Sequence, residues 1–429
     1  MKISPARAAA FDVLIKVETE RAFSSILLPA AEARLGKADR GLCHELVLGV
    51  LRNQILLDRL IDLHTSQKKL DPAVRVALRV GVYQLTRLDR VPAYSAISES
   101  VELVRRARKT SAAGLVNAVL RRISQGTTQL EFADEIEEVS VTNSHPRWLV
   151  ERWIAQSGIN ETRRLVEVDN RPAPLAFRLT ARGVAAGIKT SAWNASSVTS
   201  GAFVAERATG ELMSLADQGV IYFQDEASQM VAREIGLARG TRFLDVCAAP
   251  GSKTSLIAME SAKSRPTIVA GDLYDGRVRT MRANCLRQGV EGISFLRYDA
   301  GRTLPFAGAS FDSVLVDAPC SGTGTIRQNP EIRYFLSSGE FAEFQTKQLA
   351  ILRSASDVVR PGGRLVYSTC SLEREENEDV CAAFLSEAPD FELARPRADE
   401  RFVTADGFVR TWPQRDDTEG FFAAVFERR

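Results

Sequence analysis

Between residue ~236 and residue 429 of this chain, six short apolar runs recur: Phe243–Cys247, Ile268–Asp272, Ile293–Tyr298, Phe311–Asp317, Leu365–Ser368 and Gly420–Phe426. Helix-patterned stretches separate most of them, the layout of a doubly wound parallel sheet. Such a sheet gathers its chemistry at the carboxyl edge of its strands. Two of the runs deliver a cysteine there: Cys320 in Asp317-Ala-Pro-Cys320-Ser-Gly, and Cys370 in Tyr367-Ser-Thr-Cys370-Ser. A free cysteine is commonly a small buried residue. The Ser, Thr and Gly neighbours at these strand ends argue instead for two reactive thiols.

Upstream, Phe243-Leu-Asp245-Val-Cys-Ala-Ala-Pro-Gly251-Ser-Lys253-Thr reads as a strand, a Gly/Pro turn and a helix start. That order brings backbone N–H groups and a helix amino terminus to one point, where an anionic group is stabilised. Asp272 closes the next strand, 27 positions after Asp245, and can accept from ribose hydroxyls. Asp299 ends the third strand and can contact an adenine. A nucleotide-type cofactor beside paired thiols is expected. No G-x-x-x-x-G-K-[ST] occurs, which disfavours an NTPase.

The six cysteines lack C-x-x-C pairs and the three histidines are scattered, so neither a zinc site nor a disulfide framework is expected. No metal is anticipated. With 45% hydrophobic and 26% charged residues, the composition is that of a globular protein. No apolar stretch nears the ~20 residues of a membrane span. The amino-terminal run carries charges within its apolar part, unlike a secretory signal. A cytoplasmic protein with no membrane partner, and a monomer, is the expectation.

Charge is lopsided. Residues 1–130 hold 21 Lys+Arg against 12 Asp+Glu, whereas the remainder holds 35 against 42. A basic front end points to a polyanionic partner. This front end reads as all helix. Phe11, Leu14 and Ile15 share a face, as do Leu42, Leu46, Val47, Val50 and Leu51. Asp71-Pro72 opens a helix through Val76, Val80 and Tyr83, and later helices carry Ile97, Val101 and Val104, then Val116, Val119, Leu120 and Ile123. Gly126-Thr-Thr-Gln reads as a linker. Residues 145–235 alternate short helices and strands, giving a small α/β connector.

These motifs resemble those of RNA (cytosine-5) methyltransferases: Asp245-Val-Cys-Ala-Ala-Pro-Gly-Ser-Lys-Thr, Asp317-Ala-Pro-Cys-Ser-Gly-Thr-Gly, Ser368-Thr-Cys-Ser-Leu, Gln224-Asp-Glu-Ala-Ser-Gln and Thr418-Glu-Gly-Phe-Phe-Ala-Ala. With its helical front end, nearly the whole chain is similar to bacterial 16S rRNA enzymes of the RsmB (Fmu/Sun) type. The resemblance implies a multidomain fold: an all-α NusB-like RNA-binding domain over 1–130, an RNA-recognition-motif-like connector over 145–235, and a Rossmann-like α/β class I methyltransferase domain over 236–429. It implies S-adenosyl-L-methionine bound by Cys247, Ala248, Ala249, Pro250, Gly251, Ser252, Lys253, Asp272, Arg277, Asp299 and Asp317.

The implied substrate is a cytosine of small-subunit ribosomal RNA. Cytosine C5 is a poor nucleophile until a thiolate adds to C6, and a second thiol assists release. The residues alone do not order the two thiols; the resemblance makes Cys370 the nucleophile and Cys320 the assistant. Asp317 can bond the pyrimidine N3/N4 edge. Lys253 can lower a thiol pKa or orient the base. Three positions depart from the family pattern: Ser252 replaces a Gly and so requires an ordinary φ, Gln328 replaces an Arg, and Glu419 replaces an Asp.

The target base must leave its stack to meet a thiol. Arg327, Asn329 and Arg333 follow the Cys320 loop and are expected to touch RNA, and Arg105, Arg106, Arg108 and Lys109 offer a basic stripe for phosphates. Competing readings are activity on tRNA, a DNA cytosine-5 methyltransferase, a non-catalytic RNA-binding or antitermination factor, and a cysteine hydrolase. The DNA enzyme has no use for the second thiol, and the hydrolase lacks a His partner in the catalytic segment.

Overall fold

A computed structural model of the chain describes residues 3–65, 69–126 and 129–429, so Thr127 and Thr128 of the expected linker lie outside the described residues. The chain divides into two compact units, residues 1–172 with 326–338, and residues 173–325 with 339–429.

The first unit is helical: α1 (Pro5–Glu20), α2 (Ser24–Glu32), α3 (Lys37–Arg52), α4 (Gln54–Thr65), α5 (Pro72–Arg87), α6 (Ala93–Arg106), α7 (Ala113–Ser124), α8 (Glu135–Thr142), α9 (Arg147–Ser157) and α10 (Ile159–Asp169). Local chemistry sets the starts. The Asp71 side chain accepts from the Ala73 N–H with Pro72 in the first turn, and Asp134 accepts from the Glu137 N–H. The periodic apolar faces meet in one core of Leu46, Val47, Val50, Val80, Val116 and Leu120.

The expected domain division differs here. Instead of opening an α/β connector near residue 145, α9 and α10 remain with the helical unit, which also takes in residues 326–338. The reason is a buried polar cluster. Arg333, His145 and Asp169 are all 0% exposed, and such groups must be partnered within one packed body. The Arg333 guanidinium donates to the carbonyls of Asn143 and Ser144 and to Asn170 Oδ1 at 3.2, 3.4 and 2.9 Å.

The second unit opens with β1 (Leu175–Leu179), α11 (Ala181–Ala185), β2 (Asn194–Ala195), β3 (Ala202–Ala205), α12 (Gly210–Asp217) and β4 (Ile221–Phe223). The strands form an antiparallel sheet in the order β2-β3-β1-β4, a split β-α-β-β-α-β arrangement. Phe177 packs on Trp193 and Phe203 on one face. The neighbouring Arg178 points to the other face, where it is buried and donates to Gln224, to the Ser252 carbonyl, and to Ser255 and Gln288.

The large sheet follows, led in by α13 (Glu226–Arg233): β5 (Arg242–Asp245), α14 (Ser252–Glu260), β6 (Thr267–Asp272), α15 (Asp275–Arg287), β7 (Ile293–Arg297), β8 (Phe311–Asp317), α16 (Glu340–Ser356), β9 (Val359–Thr369), α17 (Glu378–Glu387), β10 (Phe391–Leu393), β11 (Val409–Arg410) and β12 (Phe422–Arg428). Its order is β10-β12-β9-β8-β5-β6-β7, with β11 beside β12. Strands β5 to β9 are parallel, and fully buried residues such as Phe243, Leu244, Val314 and Leu315 line the centre. The sheet is mixed rather than all parallel, because β12 runs antiparallel to β9. Strand β12 is reached from its other neighbour, β10, through only the 3-10 turn Glu400–Phe402, β11 and the one-turn helix Pro413–Asp416, without the long crossover helix that a parallel strand needs, and so pairs antiparallel with β10 as well. Strand order reverses at β5, so the crevice beyond β5 and β8 is the topological switch point.

Among the described residues no helix is long and apolar enough to cross a membrane, and no cluster of three His, Cys, Asp or Glu side chains could hold a metal.

Candidate active site

At the carboxyl end of β5 the chain turns through residues 246–251 into α14. Gly251 caps that helix at φ +94°, and a Cβ there would lie 3.0 Å from Met281 Cγ. Only glycine meets both demands. Ser252 is the first helical residue, so its Cβ sits on ordinary backbone and the departure from the family pattern is accommodated. Arg277 on α15 braces the loop, donating to the Ala249 carbonyl at 3.0 Å and standing 3.5 Å from Asp272 Oδ2.

Two carboxylates face this loop from below and beside it. Asp245 is 1% exposed; its Oδ2 accepts from Thr254 Oγ1 at 2.6 Å, while its Oδ1 is buried without a partner. Burial pushes its pKa up to about 7. Asp272, 4% exposed, receives the Tyr274 N–H at 3.4 Å. An orphaned carboxylate oxygen and a second buried acid fit hydrogen-bond donors and positive charge on a cofactor, and the glycine-capped helix start fits an anionic group on it. Asp299 is exposed beyond β7 and accepts from the Gly301 N–H at 3.0 Å. Cys247 is half-buried behind the loop, its thiol pushed up by burial and by Asp245, Asp272 and Asp317.

Strands β8 and β9 pair Asp317 with Ser368, and this register brings the two thiol loops together. Cys320 Sγ and Cys370 Sγ are 3.3 Å apart. Two thiols so close cannot both carry charge. The Cys370 contact, followed by burial, holds the Cys320 thiol well above its ordinary pKa, so it keeps its proton. Asp317 is gripped on both oxygens: Ser368 Oγ donates to Oδ1 at 2.8 Å and Lys253 Nζ to Oδ2 at 2.7 Å. Burial alone would lower the Lys253 pKa, but the Asp317 carboxylate raises it above the ordinary lysine value. The Lys253 ammonium also lies 5.0 Å from the Phe421 ring centroid, a cation–π contact. Phe421 is held by the turn before β12, where Gly420 donates its N–H to the Gly324 carbonyl at 2.8 Å. A Cβ on Gly324 would stand 2.0 Å from the Gly420 carbonyl oxygen, so these two backbones touch because neither has a side chain.

The structure thus brings Cys320, Cys370, Asp317 and Lys253 to one point, with the 247–253 loop and Asp272 at neighbouring strand ends. It does not bring Arg327 and Arg333 to a surface. Arg333 is 0% exposed, and Arg327, 6% exposed, donates to the carbonyls of Arg171 and Pro172 at 3.3 and 2.8 Å. These two expected RNA contacts are therefore corrected to internal braces of the helical unit. Asn329 is half-buried, its carbonyl accepting from the Ile332 N–H. The basic stripe stays exposed: Arg105 pairs with Glu102, Arg106 with Asp12 at 2.6 Å and Lys109 with Asp71 at 2.6 Å, and Arg108 sits at φ +59°.

Sequence reasoning missed Ser368, Phe421 and Glu376 as parts of the site. Ser368 and Phe421 had a signal, since each lies inside a quoted motif. Glu376 had none, because it sits in the charged run Glu373-Arg-Glu-Glu-Asn-Glu378, which reads as a solvated face.

A family model described as 16S rRNA methyltransferase RsmB/F matches residues 235–427, and one described as the NusB family matches residues 4–125. The chain is 32% identical to the probable ribosomal RNA small subunit methyltransferase B of Bacillus subtilis (strain 168), over 100% of both chains. It is 34% identical to the ribosomal RNA small subunit methyltransferase B of Pseudomonas syringae pv. tomato, over 89% of this chain and 86% of that one. Among solved structures, that of PH0851 matches with a TM-score of 0.84 and 26% identity, covering 100% of both chains.

Proposed function

The chain belongs to the RsmB/F family of small-subunit ribosomal RNA methyltransferases, and from that premise we propose that it methylates C5 of a cytosine in 16S rRNA through a covalent adduct between Cys370 and C6. The observation that carries this reading is the pair of thiols 3.3 Å apart beside an Asp317 that is already gripped by Lys253. A second, protonated thiol at contact distance with the nucleophile is placed to act on the adduct's leaving sulfur, which supports this reading.

The cofactor is S-adenosyl-L-methionine, whose sulfonium supplies an electrophilic methyl group. The residues fitted to hold it are those of the 247–253 loop with Asp272, and the unpartnered Asp245 Oδ1 behind them. Everything else falls to side chains of this chain. The Cys370 thiolate forms a bond to C6, pushing electron density toward C5. Asp317 meets the N3/N4 edge of the base, and Lys253 keeps Asp317 oriented and its charge compensated. After C5 has gained its methyl group, its proton passes to a solvent water, the C5–H electron pair re-forms the C5–C6 double bond, and the C6–S bond breaks with its pair returning to the Cys370 sulfur. Cys320, standing at the leaving sulfur as a neutral thiol, assists that expulsion.

The exposed Arg105, Arg106, Arg108 and Lys109 are proposed to meet RNA phosphates, and the small β1–β4 sheet to act as an RNA-recognition-motif-like connector. The face opposite its own helices carries buried Arg178, which packs onto α14, so the sheet supports that helix rather than stacking bases. The enzyme is read as a cytoplasmic monomer.

The test is tritium release from small-subunit RNA labelled at cytosine C5. Release in step with methyl incorporation is expected. Methyl incorporation without release would place the new bond elsewhere and overturn the reading.

A further inference from the structure

Beneath the two thiols lies a carboxylate that the chemistry above does not use. Glu376 is 0% exposed, in the turn just before α17. Four donors converge on it. Ser321 gives its Oγ–H to Oε1 and its N–H to Oε2, the latter at 2.8 Å. Ser371 Oγ donates to Oε1 at 2.6 Å, and Gln348 Nε2 donates to Oε2 at 2.9 Å. Every partner is a donor, which suits an acceptor-only carboxylate with about four lone-pair sites. A neutral amide in its place could keep an oxygen on the Ser321 N–H and the Gln348 amide but would present an NH2 to the two serine hydroxyls, which would have to accept instead of donate.

The two serines give the arrangement its meaning. Ser321 directly follows Cys320, and Ser371 directly follows Cys370. Their hydroxyls are 3.1 Å apart above the same Glu376 oxygen. One buried side chain thereby holds the residue next to each thiol. Weaker ties between the same loops run through backbone, with the Gly324 N–H on the Cys370 carbonyl at 2.9 Å and the Leu372 N–H on Thr323 Oγ1 at 2.9 Å. Those ties do not involve Glu376, so the loops have a scaffold that survives its replacement.

We propose that Glu376 is a positioning residue for methyl transfer, fastening the Cys320 loop to the Cys370 loop through Ser321 and Ser371 so that the two sulfurs stay in contact. This rests on the reading of the thiols given above. Burial pushes the Glu376 carboxyl above its ordinary range while its four donors pull the other way, and in its charged form it has a second effect. It is one of the groups that keep the Cys320 proton in place, the others being the Cys370 contact and burial. The remaining titratable groups facing the pair are Tyr367, Asp317 and Lys253.

The experiment compares Glu376→Gln and Glu376→Asp with wild type, reading kcat and KM for RNA methylation and, without RNA or cofactor, the iodoacetamide labelling rate of each thiol by peptide mass spectrometry. Glu376→Gln is expected to lower kcat by roughly 10²-fold, the cost of an ångström-scale misplacement. KM and S-adenosylmethionine binding should not change, and Cys320 should label faster at neutral pH. Glu376→Asp keeps the charge but not the reach, so it should restore slow Cys320 labelling without restoring kcat. Wild-type kcat and labelling in Glu376→Gln would overturn the proposal. If that variant does not fold, Ser321→Ala and Ser371→Ala each remove a tie and should lower kcat about tenfold, one hydrogen bond's worth; wild-type kcat in both would likewise overturn it. The labelling arm needs no RNA, so it reports on the clamp even if cytosine C5 proves not to be the target.

Discussion

Lys253 Nζ sits 2.7 Å from Asp317 Oδ2, with 8% of the lysine side chain and 30% of the aspartate side chain exposed. One residue comes from α14 and the other from the end of β8, so in the proposed mechanism the pair would link the methyl-donor loop to the edge of the base. Lys253→Met should lower kcat/KM for RNA methylation by about 10²-fold, the usual cost of removing one charge-stabilising donor. Because the two act as a unit, Lys253→Met/Asp317→Asn should cost about as much as the worse single variant. Multiplicative losses in the double variant would show that they act separately.

Asp245 gives a pH signature. Its carboxyl titrates near 3.8 when free and at about 7 when folded, because burial disfavours its charge. Between those values the folded state holds a proton that the unfolded state has lost. The Asp245 contribution to stability is therefore full below about pH 3.8 and declines as pH rises through about 7. Asp245→Asn removes the effect while still accepting from Thr254. The Tm of the variant should gain on wild type as the pH is raised across that window. A gap independent of pH would contradict the assignment.

Arg333 should behave as a core residue. Arg333→Met strips the carbonyls of Asn143 and Ser144 and the side chain of Asn170 of a donor inside the helical unit. A loss of about 3 kcal/mol in denaturant unfolding is expected. RNA affinity of the folded fraction should be unchanged; a selective loss of affinity at normal stability would restore it as an RNA contact.

The exposed stripe should behave oppositely. Replacing Arg105, Arg106, Arg108 and Lys109 by Ala should weaken RNA binding and flatten its salt dependence, by about 0.7–0.9 in slope for each phosphate that is no longer neutralised. Three of the four have acidic partners, Glu102, Asp12 and Asp71. Those pairs are exposed and weak, so phosphates can displace them. An unchanged slope with unchanged affinity would remove this face from the RNA site.

Much of the site can be read in the sequence because its chemistry lies at strand ends. Apolar runs of fixed length place Asp245, Asp272, Asp317, Cys320 and Cys370 on one sheet edge whatever happens elsewhere. What stays hidden depends on tertiary burial. Arg327 and Arg333 look like RNA-facing charges, but residues 326–338 fold into the helical unit, where carbonyls receive their guanidinium groups. Glu376 looks solvated for the same reason: nothing local marks one glutamate in a charged run as the buried one. The extent of the helical unit is hidden too, since the partners His145 and Arg333 are distant in sequence. The direction of β12 follows from the connection out of β10, which holds no long helix, and periodicity alone does not reveal which neighbour a strand returns to.

The most direct test of the central claim is denaturing electrophoresis of Cys320→Ala purified with RNA. With the assisting thiol gone and Cys370 intact, the adduct should accumulate as a nuclease-sensitive shifted band that disappears in Cys320→Ala/Cys370→Ala. Absence of the band, with methyl transfer intact in Cys370→Ala, would contradict the assignment of Cys370 as the nucleophile.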